Sequence, residues 1–420
     1  MSKEADTKMA EMVPGFKGLV ATASTFHESK LAEAAVKGKK ARLVWLPFAE
    51  RVKAMQANQQ QAAPGDRGAP VIRVHRDRPT KLIIEQYQSP GDVLMLTATI
   101  RDLHVAYPGR FITDVRTSCP HLWEANKDIT PISDDDPDAQ KYLAEYKLID
   151  ESNEGPWHFI FGFHDDFERK TGIPVRPTKF WPYVALAEHE KGWLSQIYEL
   201  TGKDLPYWII DAGRKDDFTA KMWNTDSFQE VVERMPDITF VQIGADDPKH
   251  YHPELHGDNI INLIGKTDTR QFVRLMYHAA GVITPVSFPM HLAAAVETKY
   301  CYKRPRRPCV VLAGGREPAS WEGYTNHAYL HKCGRLPCCD NGGCWASRVV
   351  PIGDGDEKDT KNLCNNVVYS ESNQPLPLCL DLITPEDVIR AVREYLMFYD
   401  YSDPDPDKWH IMDTPRELVI

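Results

Sequence analysis

No stretch of this chain stays apolar for the roughly 18–20 residues a membrane-spanning helix needs, so a transmembrane protein is not expected. Its opening residues, Met1-Ser2-Lys3-Glu4-Ala5-Asp6, lack the charged-then-apolar order of a secretory signal, which makes the cytoplasm the expected location. Internal repeats and heptads are missing too, excluding solenoids and coiled coils. An overall positive charge is also absent. The net charge is −10, and an acidic body argues against bulk nucleic-acid binding.

The composition is 42% hydrophobic with 10 tryptophans, enough for a packed globular protein, and 420 residues make two domains the default. Charge is uneven along the chain. Residues 1–80 hold 14 Lys and Arg against 8 Asp and Glu, whereas the remainder holds 36 against 52. The basic stretch reads as a solvated arm, with contact to an acidic partner or a membrane face as the alternative. Residues 1–79 form an extension, in which Val44-Trp45-Leu46-Pro47-Phe48 is a docking segment and Gln56–Ala69 a linker.

Beyond it the pattern alternates. Leu82-Ile83-Ile84 reads as a buried strand, Ser89-Pro90-Gly91-Asp92 as a turn, and Val93, Leu96, Ile100 and Leu103 as the buried stripe of a helix. Tyr107-Pro108-Gly109 ends that helix, and Phe111–Val115 is the next strand. A second series has strands at Tyr207–Asp211, Thr239–Ile243, Gly281–Thr284 and Cys309–Ala313, with helices over Ser227–Arg234, Thr269–Ala280 and Met290–Val296. Strands alternating with helices imply an α/β fold with mostly parallel sheets, here two Rossmann-like domains facing a cleft. Thr384-Pro385-Glu386-Asp387 starts a last helix, whose stripe is Val388, Ile389, Val392, Leu396 and Tyr399. The expected division is 80–200, 201–332, a Cys-rich insertion at 333–382, and a C-terminal helix and tail at 383–420.

Over residues 80–400 these fragments resemble glycosyltransferase family 9, the ADP-heptose heptosyltransferase-like enzymes of the GT-B fold. Gly91-Asp92-Val93-Leu94 with Thr97 is similar to the family's entrance motif, and Ala220-Lys221-Met222-Trp223 to its Lys-x-Trp motif. Gly265-Lys266-Thr267 and Pro289-Met290-His291-Leu292-Ala293-Ala294-Ala295 are similar to its donor-side motifs. The resemblance implies an inverting transferase with Asp92 as general base and Lys221 on the donor phosphates, and needs no catalytic divalent metal. An acceptor hydroxyl needs a base and a departing diphosphate needs positive charge, so both residue types suit the chemistry. Helix capping is the alternative role for Asp92, and surface decoration for Lys221. Thr219 is a neighbouring hydroxyl donor, and the helix opening at Pro289-Met290-His291 after Ser287 offers amide groups to phosphate. Asp246, after a strand, suits ribose hydroxyls, while Gly265, Lys266 and Thr267 shape the base pocket. Relatives carry an acidic residue and a glycine where this chain has Val286 and Phe288, which leaves the donor sugar open. The implied partners are an ADP-type nucleotide sugar and a glycan, lipid or protein acceptor, with a homo-oligomer compatible. A nucleotide-sugar hydrolase or epimerase and a non-catalytic binding module are the alternatives.

Six of nine cysteines lie between residues 333 and 379. Such density in a cytoplasmic protein favours metal over disulfides. Cys339, Cys344, Cys364 and Cys379 are the expected ligands of a structural iron or zinc, with Cys338 as substitute for Cys339 and reduced thiols as the alternative. The cluster resembles the iron-binding finger of autotransporter heptosyltransferases, a branch of the same family. His164, in His164-Asp165-Asp166, is a candidate acceptor contact or a satisfied surface cluster, and His250 and His252 read as loop residues.

Overall fold

The buried run Leu82-Ile83-Ile84 becomes the centre of one sheet, and Tyr207-Trp208-Ile209-Ile210 the centre of another. This computed structural model describes residues 72–145, 158–299 and 307–398, together with two short strands nearer the N-terminus. The chain divides into two units, Met1–Val71 and Ile72–Ile420. In the first unit β1 (Leu19–Thr22) and β2 (Ala41–Val44) pair in parallel. The docking residues Trp45–Phe48, the linker Gln56–Ala69, Cys301 and Tyr399 lie outside the described residues.

In the second unit, β3 (Thr80–Gln86) lies between β4 (Phe111–Thr117) and β5 (Ala139–Leu143), all parallel. Helix α1 (Pro90–Ala106) crosses from β3 to β4. Its start is built as its sequence suggests: proline stands in the first turn, and the Ser89 N–H donates to Asp92 Oδ2 at 3.1 Å. Val93, Leu96, Ile100 and Leu103 are all buried, so the helix lays its apolar stripe on the core. Helix α2 (Phe161–Thr171) packs against α1.

The larger sheet holds β6 (Tyr207–Ile210), β7 (Thr239–Gln242), β8 (Ile260–Asn262), β9 (Gly281–Pro285), β10 (Cys309–Gly314) and β11 (His327–His331). The order is β8-β7-β6-β9-β10-β11, every pair parallel. Strands β6, β9 and β10 are buried throughout, as continuous apolar runs in a sheet covered on both faces should be. The expected α/β class is therefore what the chain adopts. The order reverses direction between β6 and β9, and a crevice opens beyond the carboxyl ends of strands at such a reversal.

Helices α3 (Thr225–Arg234), α4 (Thr269–His278) and α5 (Phe288–Ala295) connect these strands. Arg307, with no exposed surface, fixes two of them. Its Nε donates to Ala279 O at 2.9 Å just past α4, and its Nη2 to Glu297 O at 3.1 Å just past α5. A guanidinium placed there meets the negative ends of both helix dipoles. On helix α6 (Pro385–Phe398), Val388, Ile389 and Val392 join Phe228, Val231 and Val232 of α3 in one buried cluster on the second sheet. Trp223 Nε1 donates to Ile383 O at 2.9 Å and ties the start of that helix down.

Candidate active site

Helices α1 and α5 pack on each other, and their contact brings the two sheets' motifs together. Gly91 stands at that contact. A Cβ on it would sit 3.1 Å from His291 Cδ2, tighter than an ordinary contact, so the glycine eases the close approach of the two helix starts. Asp92 is the next residue, half-buried, with one carboxylate oxygen capping its own helix. The capping role weighed from sequence is therefore real.

His291 is buried, and its Nδ1 lies 2.7 Å from the Tyr324 hydroxyl. Burial, reinforced by the charge of Lys221, pulls its pKa down to about 3, so the ring is neutral. On its other side, Nε2 stands 3.9 Å from Glu322 Oε2. Lys221 reaches the same cluster from the opposite loop, pairing with Glu317 Oε1 at 3.0 Å while its side chain stays 26% exposed. Arg316 also pairs with Glu317. Burial pushes the Glu317 carboxyl up, but Arg316 and Lys221 outweigh it and hold Glu317 ionised. The same two cations only partly offset what acts on Glu322. Burial and the negative charge of Glu317, with a smaller push from Asp92, raise it to about 8.

The donor-side residues fall into two groups. Gly265 has φ +69° and lies so close to Asp246 that a Cβ on it would come 2.7 Å from the Asp246 Cβ. Its N–H also donates to Gly244 O at 2.9 Å, so these two loops do meet. Lys266 turns away and donates to Asn262 O at 2.8 Å, and Thr267 leads into the Asp268 cap of α4. Ser287, at the start of α5, gives its hydroxyl to Asp211 Oδ2 at 3.0 Å, with Thr284 Oγ1 on the same oxygen at 3.3 Å. Pro289 and Met290 are buried in α5. Val286 is buried in the core, and Phe288 packs edge-on against Phe272, so both serve packing. Thr219 is buried and accepts from Val349 N at 3.0 Å, which fastens the turn carrying Lys221 to the Cys-rich segment.

Sequence reasoning missed Glu317, Glu322 and the buried pair Asp211–His252. His252, read as a loop residue, sits with Nδ1 3.9 Å from Asp211 Oδ1, and Ala245 N–H donates to its Nε2 at 3.2 Å. His164, weighed as an acceptor contact or a satisfied surface cluster, is buried on α2. It is spent on Thr99, the Ile160 carbonyl and Asp102, and no surface remains for a substrate.

The four cysteines expected as metal ligands lie together in the segment that follows β11. Among the described residues no group of three or more His, Cys, Asp or Glu side chains is disposed to hold a metal ion. The thiols of Cys339, Cys344, Cys364 and Cys379 influence one another's charge, yet two of them turn to carbonyls instead. Cys339 Sγ donates to Leu336 O at 3.4 Å and Cys364 Sγ to Asn366 O at 3.4 Å, while Cys338 Sγ accepts from Asn366 Nδ2. Burial raises Cys344 to about 11 and Cys379 to about 12.

A search of curated proteins finds no match to this chain. Among solved structures, similar chains include a family 9 glycosyl transferase from Veillonella parvula, 14% identical, covering 77% of this chain and 99% of its own, TM-score 0.49. The E. coli ADP-heptose LPS heptosyltransferase II is 15% identical over 76% of this chain and 98% of its own, TM-score 0.46. The iron-containing dodecameric glycosyltransferase TibC from enterotoxigenic E. coli is 19% identical over 80% of this chain and 83% of its own, TM-score 0.44. The family profile described as glycosyltransferase family 9 (heptosyltransferase) matches residues 167–302, a span that holds Lys221, Asp246 and His291. Residues 167–302 are thus a region similar to glycosyltransferase family 9.

Proposed function

We propose that this protein is an inverting glycosyltransferase that moves heptose or a related sugar from an ADP-type donor to a hydroxyl of a glycan, lipid or protein. What supports the reading is one meeting point: Gly91-Asp92 lies against His291, and the charges of Asp92 and Lys221 both act on Glu322. A base and a cation are then within reach of one bound donor. The acceptor oxygen attacks the anomeric carbon as its proton passes to Asp92. The bond to the phosphate oxygen breaks, and the diphosphate leaves with the electron pair.

Lys221 and the amide groups at the start of α5 meet the charge that develops on the departing phosphates. Asp246, held beside Gly265, takes the ribose hydroxyls. We assign the enzyme to the cytoplasm, compatible with a homo-oligomer, and the mechanism needs no catalytic divalent ion. Asp92→Asn should lower kcat by about 10²–10⁴ with little change in ADP affinity. Lys221→Ala should weaken ADP binding and lower turnover together. Full transfer activity in Asp92→Asn, measured with an ADP-sugar and a hydroxyl acceptor, would remove the base assignment.

A further inference from the structure

Glu322 closes the short helix Ala319–Glu322, on the segment between β10 and β11. Its side chain is 6% exposed, and Oε2 has no hydrogen-bond partner among the described residues. The groups around it come from every neighbouring element. His291 Nε2 of α5 stands 3.9 Å from Oε2, and Tyr324 caps the other side of that imidazole. Glu317, Arg316 and Lys221 act on it from the loop beyond β10 and the turn at Asp216–Lys221, and Asp92 from α1. Tyr329 of β11 feels Glu322 in turn, and His158 binds the adjacent Gly323 carbonyl.

The charge balance is tight. Glu317 already takes up the two cations Lys221 and Arg316. Asp92 adds one negative charge at the cleft. A diphosphate arriving beside Lys221 therefore meets little surplus positive charge, and one more buried anion would repel it in a medium that screens poorly.

We propose that Glu322 is a positioning residue whose carboxyl must stay neutral for the cleft to accept a nucleoside diphosphate. It acts through charge and through His291, whose neutral ring stands near both Glu322 and Gly91. The proposal rests on the glycosyltransferase reading and adds to it a proton-controlled limit on donor binding. Neutral, Glu322 offers an O–H toward the His291 Nε2 side and leaves the start of α5 free of negative charge. Ionised, it places a charge beside Asp92 and Glu317 that the donor phosphates must oppose.

The direction follows from the raised value near 8: the neutral form prevails below it and is lost as pH rises through it. At about pH 9 roughly one molecule in ten keeps the proton, so apparent affinity should fall about tenfold from pH 7. The test is calorimetric titration of the full chain with ADP at both pH values, for wild type and Glu322→Gln, whose amide mimics the neutral acid. The ratio of the two affinities should be about ten in wild type and near one in the variant. A carboxyl-carbon NMR titration, assigned by its loss in Glu322→Gln, should show the group neutral at pH 7. A wild type that binds ADP equally at both pH values, or a Glu322 that titrates as an ordinary glutamate, overturns this inference alone. A wild type that binds no ADP at either pH overturns the donor reading and this inference with it.

Discussion

Replacing Arg307 with Met tests how α5 is held at its far end. The guanidinium has no exposed surface, and backbone carbonyls are among its partners. Its charge is met by backbone carbonyls: Ala279 at 2.9 Å and Glu297 at 3.1 Å, with longer contacts to Ala293 at 3.4 Å and Tyr277 at 3.5 Å. Methionine fills similar space but leaves the two closely bound carbonyls buried and unpaired, each costing about 1–3 kcal/mol. Loss of the cation at two helix ends adds up to about 1 kcal/mol each. The expected destabilisation is therefore about 3–6 kcal/mol, read from the urea midpoint of tryptophan fluorescence. Arg307→Lys keeps the charge but not the fork, and should recover part of the loss. The effect should persist in high salt, because the site is shielded from ions. A variant within about 1 kcal/mol of wild type would refute the claim that this side chain fastens α4 and α5 together.

Two packing substitutions complete the predictions. Gly281→Ala would put a Cβ 2.4 Å from Trp208 Cε2, inside a sheet whose strands cannot separate, and should lower Tm by an amount matching at least about 1–3 kcal/mol. Gly91→Ala meets His291 Cδ2 at 3.1 Å, so a shift of a few tenths of an ångström relieves it. That variant should cost little stability yet lower kcat more than it changes KM, because it displaces Asp92 relative to the start of α5. An unchanged kcat would show that the α1–α5 contact is not what sets the spacing.

Much of the fold was legible because parallel strands buried on both faces leave unbroken apolar runs, as in Tyr207–Ile210 and Cys309–Gly314. Strand β5, Ala-Gln-Lys-Tyr-Leu, was missed because its polar residues hide any run, and β11, His-Ala-Tyr-Leu-His, for the same reason. The stripe on α6 announced a docked helix but carried no information about which sheet receives it. Asp92 and Lys221 stood out through short motifs. Glu317 and Glu322 did not, since their burial arises only when α1, α5 and the Lys221 turn converge; an acid set among Trp321 and Tyr324 was the one local sign. The cysteines stood out through number alone, whereas the direction each sulfur takes is set only by the folded segment.

The amide of Phe159 donates to Trp321 O at 2.7 Å, and that of Val184 to Ala295 O at 3.3 Å, stitching the two halves along their backbones. One continuous apolar interior also runs from Leu82 through Val93 and Met290 to Val282. A clamshell that swung wide would have to snap those seams and wet that interior at every turnover. Traffic in and out is therefore expected to rely on shuffling of surface loops, with the jaws themselves staying shut.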